Sequence, residues 1–185
     1  MRVIHEHKPT EFVETIEFFP EEGKYHLDGH ADCNFSCLPE QTKKLGGICP
    51  LCGKKLLRGV MHRVSDLSLI SNTKTKSDTA HPYLIPFRSI IPLEEIIAET
   101  FGVGTASKKV QTQYEAMVAE ISEFDLLLNT NQLTLEGLSS KEIAESVMRV
   151  RNGQVHITGG YDGVFGKIQI YSQQEREIMK LKPKR

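Results

Sequence analysis

Cys33-Asn34-Phe35-Ser36-Cys37 and Cys49-Pro50-Leu51-Cys52-Gly53-Lys54 place two short-spaced cysteine pairs eleven residues apart. A close pair on a tight turn presents two sulfurs about 2.3 Å from one metal ion, and two such turns facing each other complete a tetrahedron. Pro50 pre-sets one backbone angle of the second turn. Gly53 tolerates the positive φ that lets backbone amides point at the sulfurs. Four thiolates with no open position make a site that stabilises structure and activates no water. Cys33, Cys37, Cys49 and Cys52 are therefore the expected ligands of one structural Zn2+. His30 and Asp32 lie near enough to Cys33 to replace one ligand, but a four-cysteine set leaves no thiol unpaired. The competing readings are a disulfide pair, disfavoured in a reducing compartment, and unrelated buried thiols, disfavoured by the spacing.

The surroundings of the pairs predict an α+β chain: a small zinc-knuckle module followed by a mainly helical region with a C-terminal β-hairpin. Residues 12–19 mix β-branched, aromatic and polar side chains before Pro20 and read as a strand. Residues 24–32 are expected to be extended, and Leu56 to Val64 to pair as a strand. Ser71 to Thr79 holds no apolar residue, so it is expected to be a flexible loop at 71–80 between an N-terminal module (1–70) and a helical domain (81–185). Leu93, Ile96, Ile97 and Phe101 follow helical spacing after Pro92 and stop at Gly102; Val110, Tyr114, Met117, Val118 and Ile121 repeat it. Ser139 and Glu142 form a capping box for a third helix that ends at Asn152-Gly153. Residues 155–157 and 167–171 are expected to be strands flanking a glycine-rich turn.

Composition excludes several classes. With 185 residues, 39% of them hydrophobic, the chain should bury an ordinary core. No run approaches the roughly 18 apolar residues of a membrane span, and no signal-peptide pattern opens the sequence, so a soluble, cytoplasmic protein is expected. The net charge of −1 hides segregation: residues 1–40 carry 3 basic and 9 acidic side chains, whereas residues 41–110 carry 11 basic and 5 acidic, a local balance of +6. That middle stretch suits phosphates, although a solvated charged surface explains it equally well.

Three other patterns are candidates for chemistry. His5-Glu6-His7 and Asp28-Gly29-His30-Ala31-Asp32 have metal-ligand spacings found in hydrolases, but the remaining histidines lack matching motifs, so a metal-dependent hydrolase is the weakest reading. Gly102-Val103-Gly104, followed by Ser107-Lys108-Lys109 at a helix start, can hold a nucleic-acid phosphate on exposed amides, or can be a plain interhelical turn. Gly159-Gly160-Tyr161-Asp162-Gly163-Val164-Phe165-Gly166 brings backbone close to whatever it touches. Tyr161 and Phe165 could stack on a base, while Asp162-Gly163 also makes an ordinary hairpin turn. Arg58, Arg63, Arg88, Lys108 and Lys109 are the expected phosphate contacts.

The run from Gly23-Lys24-Tyr25-His26 through Asp28-Gly29-His30, the cysteine pairs, Gly59-Val60-Met61-His62-Arg63-Val64, Pro86-Phe87-Arg88-Ser89-Ile90-Ile91-Pro92-Leu93, Gly102-Val103-Gly104, Ser107-Lys108-Lys109-Val110 and Gly160-Tyr161-Asp162-Gly163-Val164-Phe165-Gly166 resembles the C-terminal half of the endonuclease Q family. The resemblance implies a zinc-containing part of a DNA-repair nuclease that nicks beside deaminated bases; some members are labelled helicase-related. Its catalytic polymerase-and-histidinol-phosphatase (PHP) domain has no counterpart in these residues. The expectation is thus a DNA-binding module without catalysis of its own. The alternative is a protein-interaction module that docks a separately encoded PHP nuclease domain.

Overall fold

The computed structural model describes residues 11–72 and 85–181. Its strands are β1 (Thr15–Phe18), β2 (Asp28–His30), β3 (Phe35–Cys37), β4 (Phe87–Ile90), β5 (His156–Thr158) and β6 (Lys167–Gln169). Its helices are α1 (Pro39–Lys44), α2 (Val60–Asn72), α3 (Leu93–Phe101), α4 (Lys108–Val118), α5 (Glu123–Leu128), α6 (Gln132–Leu138), α7 (Lys141–Arg151) and α8 (Gln173–Leu181). The strands form three two-stranded sheets, β1 with β4, β2 with β3 and β5 with β6. The class is α+β, as expected. The chain divides into two compact units, one within Met1–Thr15, Pro20–Phe87 and Ile157–Ile168, the other within Ile16–Phe19, Arg88–His156 and Gln169–Arg185.

Among its described residues the first unit buries few apolar side chains. Its core is Cys37, Cys49 and Leu56, with Cys33, Phe35 and Leu45 packed against it. A buried polar pair sits beside this core: Asp28 is fully enclosed, and its Oδ2 lies 2.5 Å from Nδ1 of the buried His62. Asp28 also accepts from the backbone N–H of Gly59 through Oδ1, at 2.7 Å. The carbonyls of Tyr25 and His26 accept from the N–H groups of Val60 and Met61 at 2.7 and 3.1 Å. The open amides at the start of α2 are thus satisfied by residues 25–28. This tertiary capping explains why Val60 to Val64 is helical and not the strand its β-branched residues suggest. Gly59 is required where these segments cross, because a Cβ there would lie 2.4 Å from the Leu27 carbonyl oxygen. Of the loop expected at 71–80, Ser71 and Asn72 end α2 and the rest lies outside the described residues.

The glycine-rich segment belongs to the first unit, and the residues it meets, 21–27, lie 133 to 144 positions earlier in the sequence. Gly160 donates to the Glu21 carbonyl and accepts from Leu27 N–H, both at 2.8 Å. Gly163 donates to Lys24 at 3.1 Å and Gly166 to Glu22 at 3.0 Å. The backbones approach too closely for side chains: a Cβ on Gly166 would sit 2.0 Å from the Glu21 oxygen, and one on Gly160 2.4 Å from the Gly23 oxygen. The expected Asp162-Gly163 turn is present, with both residues at positive φ.

The second unit is helical around an apolar core. Leu93, Ile96, Ile97, Val110, Met117, Leu126, Leu135, Ile143 and Ile170 are fully buried, and α3 ends at Gly102 in the left-handed conformation (φ 65°). Glu123 caps α3 by accepting from Leu93 N–H at 2.9 Å. Ser122 caps α5, Asn131 caps α6, and Ser140, not Ser139, caps α7. The Ser139 hydroxyl instead donates to the Leu135 carbonyl at 2.6 Å and closes α6. Arg151 donates to the carbonyls of Leu126, Leu127 and Thr130, satisfying the open end of α5. Among the described residues, no helix is long and apolar enough to cross a membrane.

α8 opens on a reciprocal cap. Ser172 N–H donates to Glu175 Oε2 at 2.8 Å, and Glu175 N–H donates to the Ser172 hydroxyl at 3.2 Å. The Ser172 N–H, with Arg149 and the Ser172 hydroxyl adding to it, holds the Glu175 carboxyl down at about 2 from its ordinary 4.5. A depressed carboxyl stabilises the fold above the unfolded value near 4.5 and loses that contribution as pH falls toward 2. Residue-resolved NMR should place the Glu175 midpoint close to 2; a midpoint near 4.5 means that the cap and the Arg149 pair are not formed. Gly166→Ala should cost about 1–3 kcal/mol by overpacking. Gly104→Ala, where a Cβ meets nothing within 4 Å, should stay within about 0.5 kcal/mol. Denaturant unfolding of the two variants checks this contrast.

Candidate metal centre

β2 and β3 run antiparallel, with Asp28 opposite Cys37, Gly29 opposite Ser36 and His30 opposite Phe35. Between them the chain makes one 3-10 turn, Ala31–Cys33, and leaves it through Asn34 in the left-handed conformation (φ 49°). The second knuckle is tied across its base by Cys49 N–H to the Lys54 carbonyl at 2.7 Å and by Gly53 N–H to the Cys49 carbonyl at 2.9 Å. Gly53 has φ 74°, the conformation anticipated from its place after Cys52.

These turns bring His30, Cys33, Cys49 and Cys52 together, with one potential ligand atom from each within 4.8 Å of all the others. Cys37 is not in the group. It lies two strand residues beyond the Phe35–His30 pair, a distance of roughly 6–7 Å along β3, and its thiol is buried 3.2 Å from the Thr42 hydroxyl. The structure thus gathers His30 with three of the four expected cysteines, Cys33, Cys49 and Cys52. Asp32 remains outside the group, its carboxylate 4.0 Å from His30 Nε2. His30 Nδ1 faces Cys52 Sγ at 3.6 Å. At 4.0 Å the exposed Asp32 carboxylate is beyond hydrogen-bonding distance of the imidazole.

The donor set suits a borderline-soft cation. Hydrogen bonding to Cys52, then burial, then Cys49 push the Cys33 thiol up to about 12. Burial pushes Cys49 upward too, but the N–H groups of Leu51 and Cys52, with bonds from the neighbouring thiols, bring it below its ordinary value. Crowded thiolates repel one another, and a bound dication converts that repulsion into attraction. The residues thus fit a metal ion held by three sulfurs and one imidazole, a closed site with no position for substrate.

The far end of the chain holds the first knuckle in shape. Asp162 Oδ2 accepts from Ala31 N–H, and the Tyr161 hydroxyl donates to Asn34 Oδ1, both at 2.6 Å. Gly29 lets Tyr161 approach, since a Cβ there would meet its ring at 2.4 Å. Tyr161 is only 8% exposed and spent on this contact, which removes it as a stacking surface. Phe165 is 65% exposed. Asp28, the first member of the suspected hydrolase motif, is committed to Gly59 and His62; His5 and His7 lie outside the described residues. The group above is the single cluster with metal-ligand geometry among the described residues.

The expected phosphate contacts divide in the same way. Arg58, Arg63, Lys108 and Lys109 are exposed, while Arg88 is half-buried and donates to the Leu128 carbonyl at 3.2 Å. Gly102 and Gly104 connect α3 to α4, and Lys109 Nζ lies 3.5 Å from the centre of the Phe101 ring. Phe101, Lys108, Lys109, Thr112, Gln113 and Ala116 line a shallow, open depression there.

Comparison with known proteins sets this geometry in a family. Residues 92–154 match the family model described as the MJ0043 C-terminal domain. The uncharacterized protein MJ0043 of Methanocaldococcus jannaschii is 32% identical over 157 residues, which is 84% of this chain and 19% of that protein. The crystal structure of the lesion-specific endonuclease PfuEndoQ from Pyrococcus furiosus superposes with a TM-score of 0.70 at 26% identity, covering 85% of this chain and 38% of that one. This chain fits a C-terminal part of the endonuclease Q family. Endonuclease Q in complex with a 27-mer duplex substrate, with an abasic lesion at the active site, matches with a TM-score of 0.67 at 26% identity, over 91% of this chain and 40% of that one. The chain therefore spans about two fifths of the solved endonuclease Q chains and about a fifth of MJ0043.

The ligand set has a direct spectroscopic test. Cobalt(II)-loaded protein should show the absorption of a tetrahedral site with three thiolates and one nitrogen. Cys37→Ser should leave that spectrum unchanged, and His30→Ala should alter or abolish it. The opposite pattern would return Cys37 to the ligand set.

Proposed function

We propose that this chain is a zinc-stabilised DNA-binding module of a lesion-directed repair endonuclease and does not cleave DNA by itself. The observation that carries the reading is its likeness, over 91% of its length, to an endonuclease Q bound to duplex DNA with an abasic lesion. Zinc is the metal that three thiolates and one imidazole in a closed tetrahedral set suit best. Because the first unit buries so few apolar side chains, metal binding supplies much of its folding free energy. In this reading the ion holds a shape and takes no part in bond breaking.

Phosphate contacts fall to exposed cations. Arg58 and Arg63 stand at and near the start of α2, and Lys108 and Lys109 open α4 after the Gly102-Val103-Gly104 turn. Lysines at a helix N-terminus oppose the helix dipole, a cost that an anion at the exposed amides removes. Such contacts position a duplex without reading its sequence. Arg88 is not among them in this reading, since its guanidinium serves the end of α5.

Binding should be weak, nearly independent of sequence and steeply reduced by salt, because counterions leave the duplex. Lys108→Ala/Lys109→Ala should weaken binding equally across sequences and lower the salt slope by about two units, one for each phosphate contact. Fluorescence anisotropy at several salt concentrations measures both effects. The purified chain should not nick uracil- or hypoxanthine-containing duplexes with Mg2+ or Mn2+. Failure to bind DNA at low salt would overturn the reading in favour of docking to a separate PHP nuclease domain, and metal-dependent nicking that survives purification would restore the hydrolase reading.

A further inference from the structure

Phe165 is a large ring in a place where a ring does nothing for the fold. It is 65% exposed, although it sits between residues whose backbone is held on both sides. Gly163 is bonded to Lys24 and Gly166 to Glu22, while Tyr161 and Val164 exchange backbone hydrogen bonds at 3.0 and 2.7 Å. The backbone of the loop tip is thus held by hydrogen bonds on both sides, and the ring projects from it into solvent. Lys24 Nζ lies 4.4 Å from the ring centre, and Tyr25, the next residue, is 52% exposed. An aromatic face with a cation on one side and open solvent on the other has the complementarity of a nucleotide: base against ring, phosphate toward ammonium.

Resting on the DNA-binding reading above, we propose that Phe165, backed by Lys24, is the platform on which an unstacked base of the bound DNA rests. The occupant is a nucleobase in place of an apolar protein side chain because a lysine over the ring pairs with a phosphate and has no partner on an apolar surface. Glu21 and Glu22 precede Lys24 in the chain, so this corner attracts the phosphate backbone less than Arg58, Arg63, Lys108 or Lys109 do. The platform therefore contributes preference for an exposed ring, and the cations elsewhere contribute general affinity. Stacking is tolerant of base identity, since every base has a π face; the proposed selectivity is for unpaired over paired bases.

The test uses the full chain with two oligonucleotide duplexes, one fully paired and one carrying a single unpaired 2-aminopurine. The wild type should bind the unpaired duplex more tightly, by roughly 5-fold or more for one base–aromatic stack, and should quench 2-aminopurine fluorescence. Phe165→Ala should abolish both the preference and the quenching while leaving affinity for the paired duplex and its salt slope unchanged. Phe165→Trp should retain the preference and the quenching. Thermal unfolding of both variants at the wild-type temperature establishes that the fold is intact. Wild-type binding without preference or quenching, or preference that survives Phe165→Ala, overturns the platform alone. Absence of binding to either duplex at low salt overturns the platform and the DNA reading together.

Discussion

The first unit depends on a backbone contact between segments 133 to 144 residues apart. Gly160, Gly163 and Gly166 bond to Glu21, Leu27, Lys24 and Glu22 at a spacing that excludes side chains. That contact delivers Tyr161 to Asn34 and Asp162 to Ala31, the two ends of the turn that presents His30 and Cys33. Without it, the turn would be held only by the pairing of β2 with β3, its own 3-10 hydrogen bond and a left-handed Asn34. The candidate metal group and the glycine segment are tied together: Tyr161 and Asp162 hold the turn that brings His30 and Cys33 to Cys49 and Cys52.

The buried Asp28–His62 pair extends the same logic. A charged or strongly polar pair in so small a core costs desolvation, which its geometry and its extra bond to Gly59 offset. In return Asp28 fixes the start of α2 against β2, and β2 leads directly to His30. The sequence Asp28-Gly29-His30 thus supplies three separate things: an anchor for a helix, a clearance for Tyr161, and one member of the candidate metal group. A spacing typical of hydrolase metal sites is here divided between a structural aspartate and a closed metal group.

Much of this was legible in the sequence. The second knuckle followed from Cys49-Pro50-Leu51-Cys52-Gly53, whose backbone demands are local, and α3 and α4 followed from apolar periodicity with a glycine stop. In the first knuckle strand register decides which side chains meet: Cys37 is carried along β3 into the core, and His30 arrives on the partner strand. Counting thiols carries no information about that register. Val60 to Val64 was read as a strand because its cap lies on residues 25–28 and is invisible locally. α5 and α6 were missed although Ser122-x-x-Asp125 and Asn131-x-x-Thr134 were there to mark their starts; each helix is too short for periodicity to register. Ser172-x-x-Glu175 was a readable capping box that also went unused. Tyr161 and Phe165 looked alike in sequence, and only the fold separates the ring that holds the knuckle from the ring that faces solvent.

In the proposed division of duties one closed metal group gives shape, exposed cations take phosphates and one exposed ring takes a base. The knuckles and residues 157–168 would then form a single metal-dependent structure, which hydrogen exchange before and after removal of the metal by a chelator examines. Protection is expected to fall together in residues 27–57 and 157–168, while α3 to α7 keep theirs. Loss confined to the knuckles, with residues 157–168 still protected, would contradict it.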